Sequence, residues 1–119
     1  MKIGILREEK QPFDKRVALT PSQCMQLMNT YSFIDIVVMT SSHRCYSDQM
    51  YITEGVKIVD NLEGCDILIG IKEVPISSLI ANKTYLFFSH TIKKQRYNHA
   101  LLSALVKKNI RLIDYEALK

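Results

Sequence analysis

Glycine is scarce in this 119-residue chain: Gly4, Gly55, Gly64 and Gly70 are all it has, and they never form a G-x-G-x-x-G turn. A dinucleotide pyrophosphate needs such a turn to approach the backbone at a helix start. No dinucleotide fingerprint is therefore present, and no cofactor-binding residue can be assigned. Cysteine is equally thin. Cys24, Cys45 and Cys65 are odd in number and lack C-x-x-C spacing, which argues against a disulfide framework and against a metal site. No apolar run approaches the length of a membrane span. The opening Met-Lys-Ile-Gly-Ile-Leu-Arg-Glu-Glu-Lys turns charged too soon for a signal peptide. A reduced, cytoplasmic setting without a membrane partner is the expectation.

What is present is a modest core. Hydrophobic residues make up 47% of the chain, enough for one domain and too many for a disordered segment. The formal charge of +4 raises the question of nucleic acid. Lys93, Lys94, Arg96, Lys107, Lys108 and Arg111, however, flank the two ends of one expected helix and form no stripe. Lys107 and Lys108 sit where cations oppose a helix dipole. A nucleic-acid partner is not expected, because a basic footprint clusters on one face.

Along the chain, apolar runs alternate with helical periodicity. Residues 2–6, 33–39, 66–71, 84–88 and 110–113 read as strands, and 56–59 as a brief one. Thr20-Pro21-Ser22-Gln23 carries a capping residue, a first-turn proline and a capping-box partner. Cys24, Leu27, Met28 and Tyr31 then repeat at i, i+3, i+4, i+7 as one apolar stripe. Ser47 caps a short helix carrying Met50 and Tyr51 that ends near Gly55. A further helix over about 94–108 places Tyr97, Leu101, Ala104 and Leu105 on one face. The strands at 66–71 and 84–88 are almost continuously hydrophobic, as in a parallel sheet covered on both faces. The pattern predicts a three-layer, Rossmann-like (flavodoxin-like) α/β domain with an open, largely parallel sheet.

Two of these strands stop at groups able to exchange a proton. Ile-Gly-Ile-Lys-Glu-Val-Pro (69–75) stops at Lys72, and Phe-Phe-Ser-His-Thr-Ile-Lys (87–93) at His90. Lysine becomes a useful base when burial or a neighbouring cation lowers its pKa, and histidine titrates near neutrality. Arg16 follows the first strand, where its guanidinium fork suits a carboxylate; Lys15 beside it is the less committed neighbour. Each has a plainer reading: a strand-end lysine paired with Glu73, a structural histidine, a solvated loop arginine. His43, in a loop, and His99, on a polar helix position, build no ligand cluster with His90. What favours chemistry is the joint placement. Ligands of open α/β sheets sit beyond the carboxyl ends of the strands, so Arg16, Lys72 and His90 are expected to share one cleft.

These residues carry a family resemblance. Lys-Ile-Gly-Ile-Leu-Arg-Glu-Glu-Lys and Lys-Arg-Val-Ala-Leu-Thr-Pro resemble the N-terminal domain shared by alanine dehydrogenases, nicotinamide nucleotide transhydrogenases and saccharopine dehydrogenases. Ile-Gly-Ile-Lys-Glu-Val-Pro, Phe-Phe-Ser-His-Thr-Ile-Lys-Lys-Gln and Ile-Arg-Leu-Ile-Asp-Tyr-Glu (110–116) are most similar to the lysine-forming saccharopine dehydrogenase and lysine–ketoglutarate reductase branch. The resemblance implies oxidation of saccharopine by NAD or NADP to an imine that water hydrolyses to lysine and 2-oxoglutarate, or the reverse. It puts the catalytic lysine at Lys72, the catalytic histidine at His90 and a substrate-carboxylate arginine at Arg16. It also implies a second domain that holds the cofactor. Residues 1–119 are then the substrate-side N-terminal domain of a longer enzyme, inactive in isolation and self-associating through exposed apolar surface. An alanine dehydrogenase or transhydrogenase domain is the nearest alternative. A non-catalytic flavodoxin-like binding module is one of another class, disfavoured by a first loop that is long, mixed in charge and poor in glycine. A pure interaction fragment is the third.

Overall fold

A computed structural model describes residues 1–9, 15–72, 74–88, 103–104 and 106–114. Its centre is a sheet of six strands: β1 (Lys2–Ile5), β2 (Asp35–Met39), β3 (Lys57–Val59), β4 (Ile67–Lys72), β5 (Thr84–Phe88) and β6 (Arg111–Asp114). Every neighbouring pair is parallel, and the spatial order is β3-β2-β1-β4-β5-β6. The chain works outward from β1 to β3, then crosses back to lay β4 on β1's other side. The order reverses between β1 and β4.

Both faces of the sheet are covered, because successive residues of a strand point to opposite sides. Ile3, Ile5, Ile36 and Val38 join Cys24, Tyr51 and Val56 in one cluster. Val37, Leu68, Tyr85 and Phe87 join Leu62, Cys65, Val74, Leu79 and Ala104 in the other. The first is covered by helices α1 (Pro21–Thr30) and α2 (Asp48–Thr53), with Leu27 and Met28 partly buried against it. Gly4 admits the second layer to the central strand. A Cβ there would lie 2.9 Å from both Cys65 Sγ and a Leu62 methyl, so a larger residue would force these two side chains to shift.

The local signals for helix starts are realised. The Thr20 side chain accepts from the Gln23 amide, and the Gln23 side chain accepts from the Thr20 amide, with Pro21 in the first turn. The Ser47 side chain accepts from the Met50 amide at the start of α2. Two details differ from the sequence pattern. Strand β2 begins at Asp35, because a turn bonding the Ile34 amide to the Tyr31 carbonyl at 3.0 Å leaves Phe33 outside, 62% exposed. Tyr31 lies past the end of α1, on the C-cap, and packs edge-on against Phe33 at 5.9 Å. The apolar stripe of α1 therefore stops at Met28. A short 3-10 turn, Ile76–Ser78, follows Pro75 and was not anticipated. Of the helix expected over 94–108, the described residues include Ala104, which is buried; Tyr97, Leu101 and Leu105 lie outside them. Among the described residues, no helix is long and apolar enough to cross a membrane.

Candidate functional site

The strand order reverses between β1 and β4, and ligands of open α/β sheets bind beyond the carboxyl ends of the strands at such a reversal. Strand β1 ends first. After Ile5, the Leu6 amide still donates to the Ile69 carbonyl at 2.8 Å, and then Arg7-Glu8-Glu9 leaves the sheet. Strand β4 runs further and ends on Lys72, which is half-buried and belongs to the strand itself.

The last amides of β4, partly buried, are thus left without a ladder partner on the β1 side, and amides shielded from water need one. Glu8 supplies it. Its Oε2 accepts from the Ile71 amide at 3.0 Å and its Oε1 from the Lys72 amide at 2.8 Å. Two consecutive amides reach one carboxylate because β4 is irregular here. Ile69 stands opposite Leu86 and Lys72 opposite Phe88, three steps on β4 against two on β5. The extra residue is a β-bulge, a device that re-aims side chains beside active sites and is rare between parallel strands. Gly70 lies inside it. A Cβ at that position would come within 3.1 Å of Glu8 Oε2 and of a Leu6 methyl, so a side chain there would crowd the carboxylate.

Glu8 is itself buried, at 9% exposure, and is tethered from a second direction. The His43 ring lies with Nε2 at 2.7 Å from the Glu8 carbonyl. A carbonyl only accepts, so that nitrogen carries a proton and donates. His43 belongs to the β2–α2 loop, which Asp48 organises. The Asp48 carboxylate accepts from the Thr40 hydroxyl, from the Ser41 amide at 3.2 Å and from the Arg44 guanidinium. Partial burial alone would raise the Asp48 pKa. The hydrogen bonds from Thr40 and Ser41 and the Arg44 charge outweigh it, holding the carboxyl below its usual range. Arg7 reaches the same edge and donates to the Thr40 carbonyl at 3.2 Å.

Arg16 is exposed, in the segment between β1 and α1. Two contacts hold that segment against the β2–α2 region. The Cys45 amide donates to the Lys15 carbonyl at 2.8 Å, and the Tyr51 hydroxyl donates to the Leu19 carbonyl at 2.7 Å. His90 and His99 lie outside the described residues, as does Glu73. Among the described residues, no group of three or more His, Cys, Asp or Glu could hold a metal ion. Nor do these residues fit a dinucleotide. The helix start after β1 is closed by the Thr20–Gln23 capping box, Pro21 removes one of its amides, and the approach to it contains no glycine.

Sequence reasoning missed Glu8 and gave His43 no role. A signal for Glu8 was available in Gly70: a glycine inside a buried strand often marks a bulge or a close approach.

Fold and edge together define a Rossmann-like α/β domain in which Glu8 and Lys72 meet where β1 and β4 end. The chain belongs to the family described as alanine dehydrogenase/PNT, N-terminal domain, which matches residues 4–119. It is 35% identical over 118 residues to an alpha-aminoadipic semialdehyde synthase of Arabidopsis thaliana, covering 96% of this chain and 11% of that protein. It is 30% identical over 121 residues to the Yarrowia lipolytica saccharopine dehydrogenase [NAD(+), L-lysine-forming], covering 96% of this chain and 32% of that one. Among solved structures it resembles an L-alanine dehydrogenase with a TM-score of 0.77 and 19% identity, covering 98% of this chain and 32% of that one. A transhydrogenase from Sinorhizobium meliloti gives the same TM-score of 0.77 at 16% identity, covering 96% and 34%. These two likenesses bear on the fold. The chain spans between about a tenth and a third of the length of these relatives.

Proposed function

We propose that residues 1–119 are the N-terminal, substrate-side domain of an NAD(P)-dependent amino-acid dehydrogenase of saccharopine type. The reaction is saccharopine, water and NAD(P)+ to lysine, 2-oxoglutarate, NAD(P)H and a proton, or its reverse. The observation that carries this is Lys72 at the bulged end of β4, beside the point where the strand order reverses. The family supplies the dehydrogenase class, and the relative named for lysine formation favours the saccharopine branch over alanine dehydrogenase.

In this proposal Lys72 and His90 exchange protons with the substrate nitrogen and with the water that attacks the imine, while Arg16 binds a substrate carboxylate. Imine formation and its hydrolysis need several proton transfers, which is why two tunable groups suit the reaction. The cofactor belongs to a second domain that delivers its chemistry to this edge. The substrate is a small amino acid, and the setting is cytoplasmic. Apolar side chains left exposed, Phe33 and Val106 among them, favour self-association, which sedimentation at rising concentration measures.

The test is the two-domain enzyme assayed with lysine and 2-oxoglutarate against pyruvate and ammonia, with NADH and NADPH. Preference for pyruvate and ammonia would select the alanine dehydrogenase alternative. Lys72→Met should lower kcat by about 10²- to 10⁴-fold, the usual worth of a positioned acid or base, and leave cofactor affinity unchanged. Unchanged turnover removes Lys72 from the mechanism. The isolated 119-residue chain should show no dehydrogenase activity, and micromolar binding of NADH to it would count against a separate cofactor domain.

A further inference from the structure

We propose that Glu8 is the positioning residue for Lys72: its carboxylate holds the β4 bulge that sets where the lysine presents its amine. The inference rests on the reading of Lys72 as a proton-transfer group, but its geometry stands apart from that reading. A strand has a side-chain period of two, so one inserted residue exchanges the face on which every later side chain emerges. The insertion lies between Ile69 and Lys72, and Lys72 is the residue whose direction it decides.

A bulge leaves amides out of the ladder and persists only where something else takes them. Both amides at this one go to Glu8, at 3.0 and 2.8 Å. An ionised carboxylate has acceptors only, so both oxygens can serve at once and the bonds are charge-assisted. The fit is specific to glutamate. Glutamine offers one oxygen and would turn an NH2 group toward the second amide. Aspartate is one methylene too short to reach from the departing β1. Gly70 leaves room for the carboxylate, and His43 pins the Glu8 backbone through its carbonyl. Together they arrange residues from three chain segments around the direction of one lysine.

The first arm of the test uses the 119-residue chain and no catalysis. In a 1H–15N spectrum the Ile71 and Lys72 amide protons should lie far downfield, and in Glu8→Gln at least one should move upfield. The methyl signals of reductively 13C-methylated Lys72 should shift as well, a readout that a merely structural glutamate would not move. Gly70→Ala is the second variant. It keeps the carboxylate but crowds its oxygen, and should shift the same signals. A folded Glu8→Gln or Gly70→Ala chain with unchanged Lys72 methyl signals overturns the proposal.

The second arm uses the two-domain enzyme. Glu8→Gln should lower kcat roughly 10- to 100-fold, as expected for a displaced reacting group, with the KM for cofactor unchanged and no rescue by Glu8→Asp. Full turnover in Glu8→Gln, in an enzyme that Lys72→Met cripples, also overturns it. If Lys72→Met leaves turnover intact, the function proposed above fails, while the first arm still decides whether Glu8 positions Lys72.

Discussion

Replacing Tyr51 by phenylalanine removes one oxygen from the core and leaves the ring in place. That ring is wholly buried. The Arg44 guanidinium lies over it at 4.8 Å from the centroid, and Tyr46 meets it edge-on at 6.5 Å. Its hydroxyl donates to the Leu19 carbonyl at 2.7 Å, tying the segment that carries Arg16 to α2. Burial pushes the Tyr51 pKa well above its ordinary value, so the hydroxyl remains a donor throughout the neutral range. Phenylalanine keeps the apolar burial and the cation–π contact but deprives the Leu19 carbonyl of this donor. A lost hydrogen bond costs about 1 kcal/mol net, and an acceptor left dry costs somewhat more, so we expect about 1–2 kcal/mol. For a domain of this size, each kcal/mol moves Tm by roughly 4 °C. Calorimetry should therefore show a fall of roughly 4–8 °C, and urea titration a lower midpoint with unchanged slope. Tyr51→Ala, which empties the site, should cost about 3–5 kcal/mol. A Tyr51→Phe chain that melts within about 1 °C of the parent would refute the account, since the shift expected per kcal/mol is several times larger.

Burial lifts the Cys24 thiol to about 11 from an ordinary 9.0. The fold then favours the protonated form, so this contribution is complete below pH 9 and is lost as pH rises from 9 towards 11. Cys24→Ala should flatten that part of the alkaline stability curve, and an unchanged curve would contradict the assignment. Thiol labelling of the native chain should reach the exposed Cys45 quickly and the buried Cys24 and Cys65 only on unfolding; rapid labelling of all the cysteines would count against that packing. Asp48 has the opposite sign. Its depressed pKa stabilises the fold at neutral pH, and that contribution is lost as pH falls through the folded-state value. The stability gap between the parent and Asp48→Asn should therefore be widest at neutral pH and close in acid; a gap independent of pH would show that the carboxylate's charge does not matter there.

Much of this protein is written locally. The apolar runs at 66–71 and 84–88 read as strands covered on both faces, and they are β4 and β5, shifted by at most one residue. The Thr20–Gln23 and Ser47 signals start helices because capping is a contact within four residues, complete in the sequence itself. Periodicity failed at Tyr31 and Phe33, where a tight turn between α1 and β2 overrides both the helical stripe and the strand pattern. Lys72 and Arg16 could be singled out by residue type and by their positions relative to strands. His90, singled out in the same way, lies beyond what the structure describes.

What tertiary structure alone decided is which strand ends meet. The order β3-β2-β1-β4-β5-β6 brings the end of β4 beside the end of β1, and no local pattern records that adjacency. Glu8 and Lys72 are 64 residues apart. In the sequence Glu8 is one acid in a charged loop. It becomes a clamp because β1 stops before β4, leaving two partly buried amides that need an acceptor, and because Gly70 gives its carboxylate room. Residue type and period settle conformation over a few residues, but a hydrogen bond across the sheet depends on the packing of the whole chain.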